Sequence, residues 1–210
     1  SSGYNLSSKN NKSYTWDLKD DAPKKVSNHL LVDNSWIREA KKLPSEEGTI
    51  FYISKESDDE EQSNQIVIIK NNQSNFTFQS LKTREQIKKF EISKNAKYLA
   101  IAKANGFTEM YNQSTNEKIW ELDSAILGTG NDFLRFSPDG ENLIIFGADS
   151  NFSLVQSRSG QPITSNMEQV SYITSGQWNS TGHQFLIATR TGKLLTYNLP
   201  NFSSINEVLV

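Results

Sequence analysis

The chain contains 210 residues, of which 35% are hydrophobic and 22% are charged, and its formal net charge is −2. This length suffices for one all-β domain or two small ones. A net charge so close to zero gives no general attraction to nucleic acid or to an anionic membrane, so we expect neither as a partner. The chain has no cysteine, which excludes disulfide bonds, thiolate metal sites and cysteine nucleophiles.

The first residues, SSGYN, are typical of an expression remnant. We therefore expect residues 1–13 to be a tag remnant or a flexible N-terminus. No signal peptide is visible, and no run approaches the ~20 apolar residues that a membrane-spanning helix needs. The lack of cysteine and of a signal peptide predicts an intracellular protein, cytoplasmic or nuclear.

Two strand-like segments follow, SYTWDL at 13–18 and KKVSNHLL at 24–31, and then a repeat begins. At four places, a four-residue apolar run starts seven residues after an anchor residue. In chain order these are Leu43 with IFYI at 50–53, Ile92 with LAIA at 99–102, Phe136 with LIIF at 143–146, and Trp178 with FLIA at 185–188. The residues between anchor and run favour tight turns.

A second signal recurs nineteen residues after the last three anchors, where an apolar residue precedes an amide. These pairs are Tyr111-Asn112, Val155-Gln156 and Tyr197-Asn198. The first repeat matches at Ile69 once seven extra residues are allowed within SKESDDEEQSN. The anchors lie 49, 44 and 42 residues apart, so the insertion accounts for the longest interval.

A period near 42 residues, filled with short strands and turns, predicts the four-stranded antiparallel blades of an all-β propeller. Within one repeat, strand a lies near 131–136, strand b near 142–147, strand c near 152–157 and strand d near 162–165. Strand b is apolar on both faces because neighbouring blades cover both of its sides. The predicted blades are 33–82, 83–125, 126–166 and 167–210, preceded by a half blade at 14–32.

The sequence FSPDG at 136–140, followed by an apolar run and an apolar–polar pair, resembles the core pattern of the WD-repeat family. The literal dipeptide occurs once, at Trp16-Asp17, and the family's Gly-His pair is missing. FSPDG is also similar to TolB-like propellers. The resemblance covers about residues 14–210 and identifies a divergent WD-repeat propeller. It implies a non-catalytic scaffold for protein–protein interaction.

The half blade at 14–32 supplies strands c and d only, so its strands a and b are expected to precede residue 1. The predicted total is about four and a half blades, which is a partial or open propeller. We therefore expect a piece of a longer propeller of about seven blades, or an open ring completed by another chain, such as a second copy.

Catalytic signatures are missing from the sequence. It contains no HExxH, GxSxG or P-loop pattern, and its two histidines, His29 and His183, are expected at the surface. We expect no enzyme activity, no cofactor and no metal ion. The alternative is a propeller domain accessory to an enzyme, such as one that gates a hydrolase, or a TolB-like periplasmic module.

Partner binding is predicted on one rim. In an up-and-down blade, the b–c and d–a connections share one rim, and in WD-repeat proteins this rim often holds the partner's peptide. The acidic run ESDDEE at 56–61 indicates either a solvated loop or a contact for a basic segment of a partner. The candidate partner-binding residues on this rim are Trp36, Asp58, Asp59, Glu60, Glu61, Lys103, Asp149 and Arg190.

Overall fold

The described part of this computed structural model contains β-strands and turns, with no helix. It comprises residues 4–7, 12–17, 24–30, 35–44, 48–55, 63–72, 75–83, 85–123, 133–146, 152–163, 173–199 and 203–209. Eighteen strands in these ranges form five antiparallel sheets. The chain divides into two compact units, residues 1–42 with 47–86, and residues 43–46 with 87–210.

The first unit contains two sheets. Sheet A has the order β1 (Tyr4–Ser7), β2 (Lys12–Asp17) and β3 (Lys24–Leu30). Sheet B has the order β4 (Ser35–Lys42), β5 (Gly48–Lys55), β6 (Ser63–Asn72) and β7 (Asn75–Thr83). Each strand pairs with its neighbour along the chain, as expected for an up-and-down blade.

The second unit contains three sheets of the same connectivity. Sheet C comprises β8 (Ile87–Ile92), β9 (Tyr98–Lys103), β10 (Phe107–Asn112) and β11 (Lys118–Asp123). Sheet D comprises β12 (Phe133–Phe136), β13 (Asn142–Phe146) and β14 (Phe152–Gln156). Sheet E comprises β15 (Ile173–Trp178), β16 (Gln184–Thr189), β17 (Lys193–Asn198) and β18 (Ser203–Leu209).

The four apolar runs lie in the second strand of their sheets, as the repeat predicts, within β5, β9, β13 and β16. Two details differ from expectation. Sheet A has three strands rather than two, because β1 lies within residues 1–13 and pairs with β2. In sheet D, the predicted strand d is reduced to one bridge between Val155 and Pro162, since proline lacks the N–H that a longer ladder needs. The blade boundaries remain predictions.

Strand β13 shows why its apolar run has no polar face. Leu143 and Ile145 point to one side, where they pack against sheet C, and Ile144 and Phe146 point to the other side, where they pack against sheet E. All four side chains are fully buried. A strand enclosed in this way has no water-facing side, so the usual alternation disappears.

The interface between sheets D and E is rich in aromatic side chains. The Phe146 ring stacks on Phe152 at 5.3 Å and on Phe185 at 5.5 Å, and Trp178 meets Phe185 edge-on at 5.0 Å. Aromatic pairs of this kind each contribute about 0.5–1.5 kcal/mol beyond their area burial. The interface between sheets C and D is built from smaller side chains, including Ala100, Ala102 and Met110 of sheet C.

The turn between strands a and b has one construction in all three sheets of the second unit. Its first residue is Ser93, Ser137 or Asn179, and the side-chain oxygen of that residue accepts a hydrogen bond from the backbone N–H five residues later, at 2.9, 3.0 and 3.1 Å. The fourth residue has a left-handed backbone, with φ of 55° at Ala96, 78° at Gly140 and 74° at Gly182. Only Ala96 places a Cβ there.

Successive a–b turns also touch one another. The Asn95 side-chain amide donates to the Asp139 carbonyl at 3.0 Å, and a Cβ at Gly140 would lie 2.9 Å from that amide nitrogen. A Cβ at Gly182 would lie 3.3 Å from Pro138 of the preceding turn. The SPDG motif therefore shapes its own turn and fits it between its neighbours.

A second inter-sheet link joins strand d of sheet C to the c–d turn of sheet D. The indole N–H of Trp120 donates to the Ser157 carbonyl at 2.8 Å, and a Cβ at Gly160 would lie 2.9 Å from the indole ring. This contact confirms the expectation that Trp120 serves blade packing.

We expect the substitutions Ala96→Gly and Gly140→Ala to change stability in opposite directions. A left-handed conformation costs a residue with a Cβ about 1–2 kcal/mol, while glycine loses roughly 0.5–1 kcal/mol more chain entropy on folding. Ala96→Gly should therefore raise the free energy of unfolding by up to about 1 kcal/mol. Gly140→Ala should lower it by at least about 1 kcal/mol, because its Cβ also displaces Asn95. Urea denaturation of the two variants and the parent chain measures both changes, and a destabilised Ala96→Gly variant would contradict this account.

Candidate partner-binding surfaces

The two rims of the blades differ in how uniform their connections are. The a–b connections are residues 43–47, 93–97, 137–141 and 179–183, and each has five residues. The b–c connections are residues 56–62, 104–106, 147–151 and 190–192, which vary from three to seven residues. Uniform length and shared hydrogen bonds indicate a structural role for the a–b turns. Variable connections on a regular scaffold are typical of binding loops.

The structure describes three of the eight candidate rim residues. Arg190 is exposed in the turn between β16 and β17. Lys103 ends β9 at the corresponding b–c turn of sheet C. Trp36 lies in β4, with its backbone opposite Ser54, and its side chain is not described. Asp58, Asp59, Glu60, Glu61 and Asp149 lie outside the described residues, so their role stays a prediction.

Lys103 is engaged within its own sheet. Its ammonium group lies 2.7 Å from the carboxylate of Glu109, diagonally across the β9–β10 hairpin, and the Lys103 side chain is only 12% exposed. Glu109 itself is buried. Lys103 thus neutralises a buried carboxylate, and any contact it makes with a partner must be made with that pair in place.

Glu109 is the centre of a larger polar cluster. The Tyr111 hydroxyl donates to its Oε2 at 2.8 Å, and the Lys118 ammonium donates to its Oε1 at 3.3 Å. Lys118 also pairs with Glu121 at 2.7 Å. Both carboxylate oxygens of Glu109 therefore have donors, as a buried charge requires.

The cluster shifts the pKa values of its members. Burial raises the pKa of Glu109, but the hydrogen bonds from Lys103 and Tyr111 and the positive charge of Lys103 lower it further, and the net pKa lies below its ordinary value. Burial, together with the neighbouring Glu109 carboxylate, raises the pKa of Tyr111. Glu109 is therefore ionised and Tyr111 protonated at neutral pH.

A cleft of about 390 Å³ opens at the other rim of the second unit, where the a–b turns converge. It carries Glu91 on one strand end and Lys94 on the adjacent turn, beside the apolar surfaces of Phe136 and Trp178. Arg135 lies 3.8 Å from Glu91. The cleft mixes apolar walls with one acidic and one basic group, which suits a peptide segment more than a highly charged ligand.

Sequence reasoning missed both the Glu109 cluster and the cleft. Glu109 occupies an inward position of an alternating strand, between Phe107 and Tyr111, and an acidic residue at such a position signals a buried ion pair. Its partner could be identified only from the register of β9 against β10. The cleft depends on how the turns of successive sheets converge, which no local pattern encodes.

Two other classes of site are absent from the described ranges. They hold no group of three or more histidine, cysteine, aspartate or glutamate side chains arranged to bind a metal ion. Within the same ranges, no helix has the length and hydropathy to cross a membrane.

Comparison with known proteins identifies the fold but not a close relative. No protein-family profile matches the chain, and no curated protein sequence matches it. Solved structures do match. The Cps50 (Swd1) β-propeller domain of Myceliophteria thermophila is 13% identical with a TM-score of 0.63, over 95% of this chain and 66% of that one.

Sqt1 from Chaetomium thermophilum gives a similar result. The structure of Sqt1 bound to the N-terminus of the ribosomal protein L10 is 13% identical with a TM-score of 0.68, over 94% of this chain and 55% of that one. Sqt1 alone is 12% identical with a TM-score of 0.67. The predicted WD-repeat type of β-propeller fold is confirmed. The chain spans between about half and two thirds of the length of these propellers.

We expect Glu109→Gln to destabilise the protein in a pH-dependent way. The substitution leaves Lys103 nearly buried beside a neutral group, and breaking a buried ion pair typically costs about 3–5 kcal/mol. Because the pKa of Glu109 is lowered in the folded state, its contribution to stability is present above the unfolded pKa of about 4.3 and is lost as the pH falls through the folded pKa. The stability difference between parent and variant should therefore shrink at acidic pH.

Chemical denaturation between pH 3 and pH 8 would measure this difference, with Glu141→Gln as the matched control. Glu141 is exposed on an a–b turn, so its substitution should have little effect at any pH in that range. A stability loss in Glu109→Gln that stays constant down to pH 3 would contradict the ion-pair explanation.

Proposed function

We propose that the chain is a non-catalytic interaction scaffold that holds a segment of another protein on its b–c and d–a rim. The observation that carries the proposal is the difference between the two rims: uniform, mutually bonded a–b turns on one side, and connections of variable length on the other. A scaffold that conserves its turns on one rim can vary the loops on the other rim without losing its packing.

The sheets of the second unit would give such a rim a rigid base. Their second strands are buried on both faces in sheets C and D, and fully buried side chains lose their rotamer freedom on folding rather than on binding. Loops anchored to these strands would therefore present their side chains at a fixed spacing. Arg190 is exposed at one such position.

The chemistry of the predicted rim favours a partner segment with basic residues. The run from Asp58 to Glu61 places four acidic residues on one b–c connection, with Asp149 on another and Trp36 near the same rim. Lysine or arginine side chains of a partner would be attracted to this acidic connection. Sqt1 bound to the N-terminus of a ribosomal protein is a precedent for peptide binding by a propeller of this fold.

Screening a random peptide library against the purified chain tests this proposal. We expect the enriched peptides to be basic, and we expect their affinity to fall at least tenfold, about 1.4 kcal/mol, when Asp58, Asp59, Glu60 and Glu61 are all changed to lysine. Arg190→Glu on the same rim should alter affinity in the opposite sense. Fluorescence polarisation of one labelled peptide measures each affinity, and the thermal midpoint of each variant checks folding.

Lys94→Glu is the matched control, because Lys94 lies in the cleft on the other rim. This substitution should leave the affinity within about twofold of the parent. A strong effect of Lys94→Glu with none from the acidic run would assign binding to the cleft and overturn the rim proposal. The absence of any enriched peptide would contradict peptide capture altogether.

A further inference from the structure

Each blade of the second unit has a face that points toward the next blade along the chain, here called its following face. In strands b and c of sheets C and D, this face is formed by equivalent positions of the repeat. They are Ala100, Ala102, Thr108 and Met110 in sheet C, and Ile144, Phe146, Phe152 and Leu154 in sheet D. All eight residues are buried, so these positions form the contact between successive blades.

Sheet E has the same four positions in the same register. Leu186 lies opposite Thr196, and Ala188 lies opposite Leu194, as Ala100 lies opposite Met110 in sheet C. Two leucines, an alanine and a threonine resemble the composition that sheet C buries. In sheet E, however, Leu186 is 41% exposed and the other three are only partly buried.

The following face of sheet E also carries no charge among its described residues. Besides those four positions, the register places on it Ser175, Gln177, Gln184 and Asn198. Strand β11 of sheet C shows what a solvent-facing strand of this unit contains, since its exposed residues include Lys118, Glu121 and Asp123. An uncharged sheet face with an exposed leucine is instead typical of a surface that becomes covered.

We propose that this face binds a second copy of the chain, through the same face of that copy, in a symmetric dimer. A two-fold contact brings a surface against itself, so any net charge on it would be opposed by a like charge. This face, lacking charge at its described positions, avoids that repulsion. Leu186 and Leu194 of both copies would then be buried as Ile144 and Phe152 are in sheet D.

The size of the sheet limits the strength of the contact. Four strands about 4.8 Å apart, each with six residues rising about 3.4 Å, cover roughly 400 Å² on each copy. A buried total of roughly 800 Å² is about half of a standard protein–protein interface. We therefore expect a reversible dimer with a dissociation constant of about 10–100 µM.

Sedimentation equilibrium of the whole chain between about 5 and 500 µM tests the proposal, with Leu186→Glu as the variant. The substitution places a carboxylate at the centre of the contact, and we expect it to weaken dimerisation at least tenfold. Ile119→Glu is the matched control, because Ile119 is 39% exposed on strand d of sheet C. It should leave the dissociation constant unchanged.

A disulfide cross-link identifies the face independently of affinity. Because the chain has no cysteine, Leu186→Cys and Ile119→Cys each introduce a single thiol. Under mild oxidation at 50 µM, a symmetric contact through sheet E should cross-link Leu186→Cys at least tenfold faster than Ile119→Cys. Both substitutions are at exposed positions, so circular dichroism should show an unchanged fold.

Concentration-dependent dimerisation that Leu186→Glu weakens, together with selective cross-linking at residue 186, supports the proposal. A parent chain that stays monomeric up to 500 µM overturns it, and so does a dimer that Leu186→Glu leaves intact. A dimer disrupted by Ile119→Glu instead would assign the contact to strand d. These outcomes are separate from peptide binding on the b–c rim, so either proposal can fail alone.

Discussion

Burial of strand b on both faces is the constraint on which the second unit depends. Alternate residues of β13 pack in opposite directions, so sheet D is stabilised from both sides and cannot be removed without exposing the apolar faces of sheets C and E. Stability in such an arrangement is shared between neighbours rather than held by each sheet, as in other repeat proteins. The regular a–b turns follow from this constraint, because they hold each second strand at the depth where both faces are covered.

The sequence was sufficient to predict the features that repeat. The seven-residue spacing from anchor to run located β5, β9, β13 and β16, and the amide nineteen residues on marked the start of each c–d turn. Features without a period were missed. The four residues of β1 carry one aliphatic side chain, too few for a strand signal, and the Lys103–Glu109 pair depends on a hairpin register that residue type alone does not determine.

The candidate surfaces divide in the same way. Strand order alone assigned Lys103 and Arg190 to one rim, because an up-and-down sheet sends alternate connections to the same end. Whether a charge on that rim is available depends on the partners that the fold provides. Arg190 is exposed, whereas Lys103 is held by a buried carboxylate. The rim is therefore more selective than its sequence suggests, and its binding character depends more on its longer connections than on every charge along it.

The contact between Trp120 and the Ser157 turn gives the chain a natural optical reporter. The indole joins two adjacent sheets through one hydrogen bond and lies against Gly160. Its fluorescence would respond when sheets C and D separate, even if the strands within each sheet remained paired. Trp178 buries its ring between sheets D and E and serves the neighbouring boundary. Two tryptophans at successive boundaries would distinguish stepwise opening of the stack from simultaneous collapse.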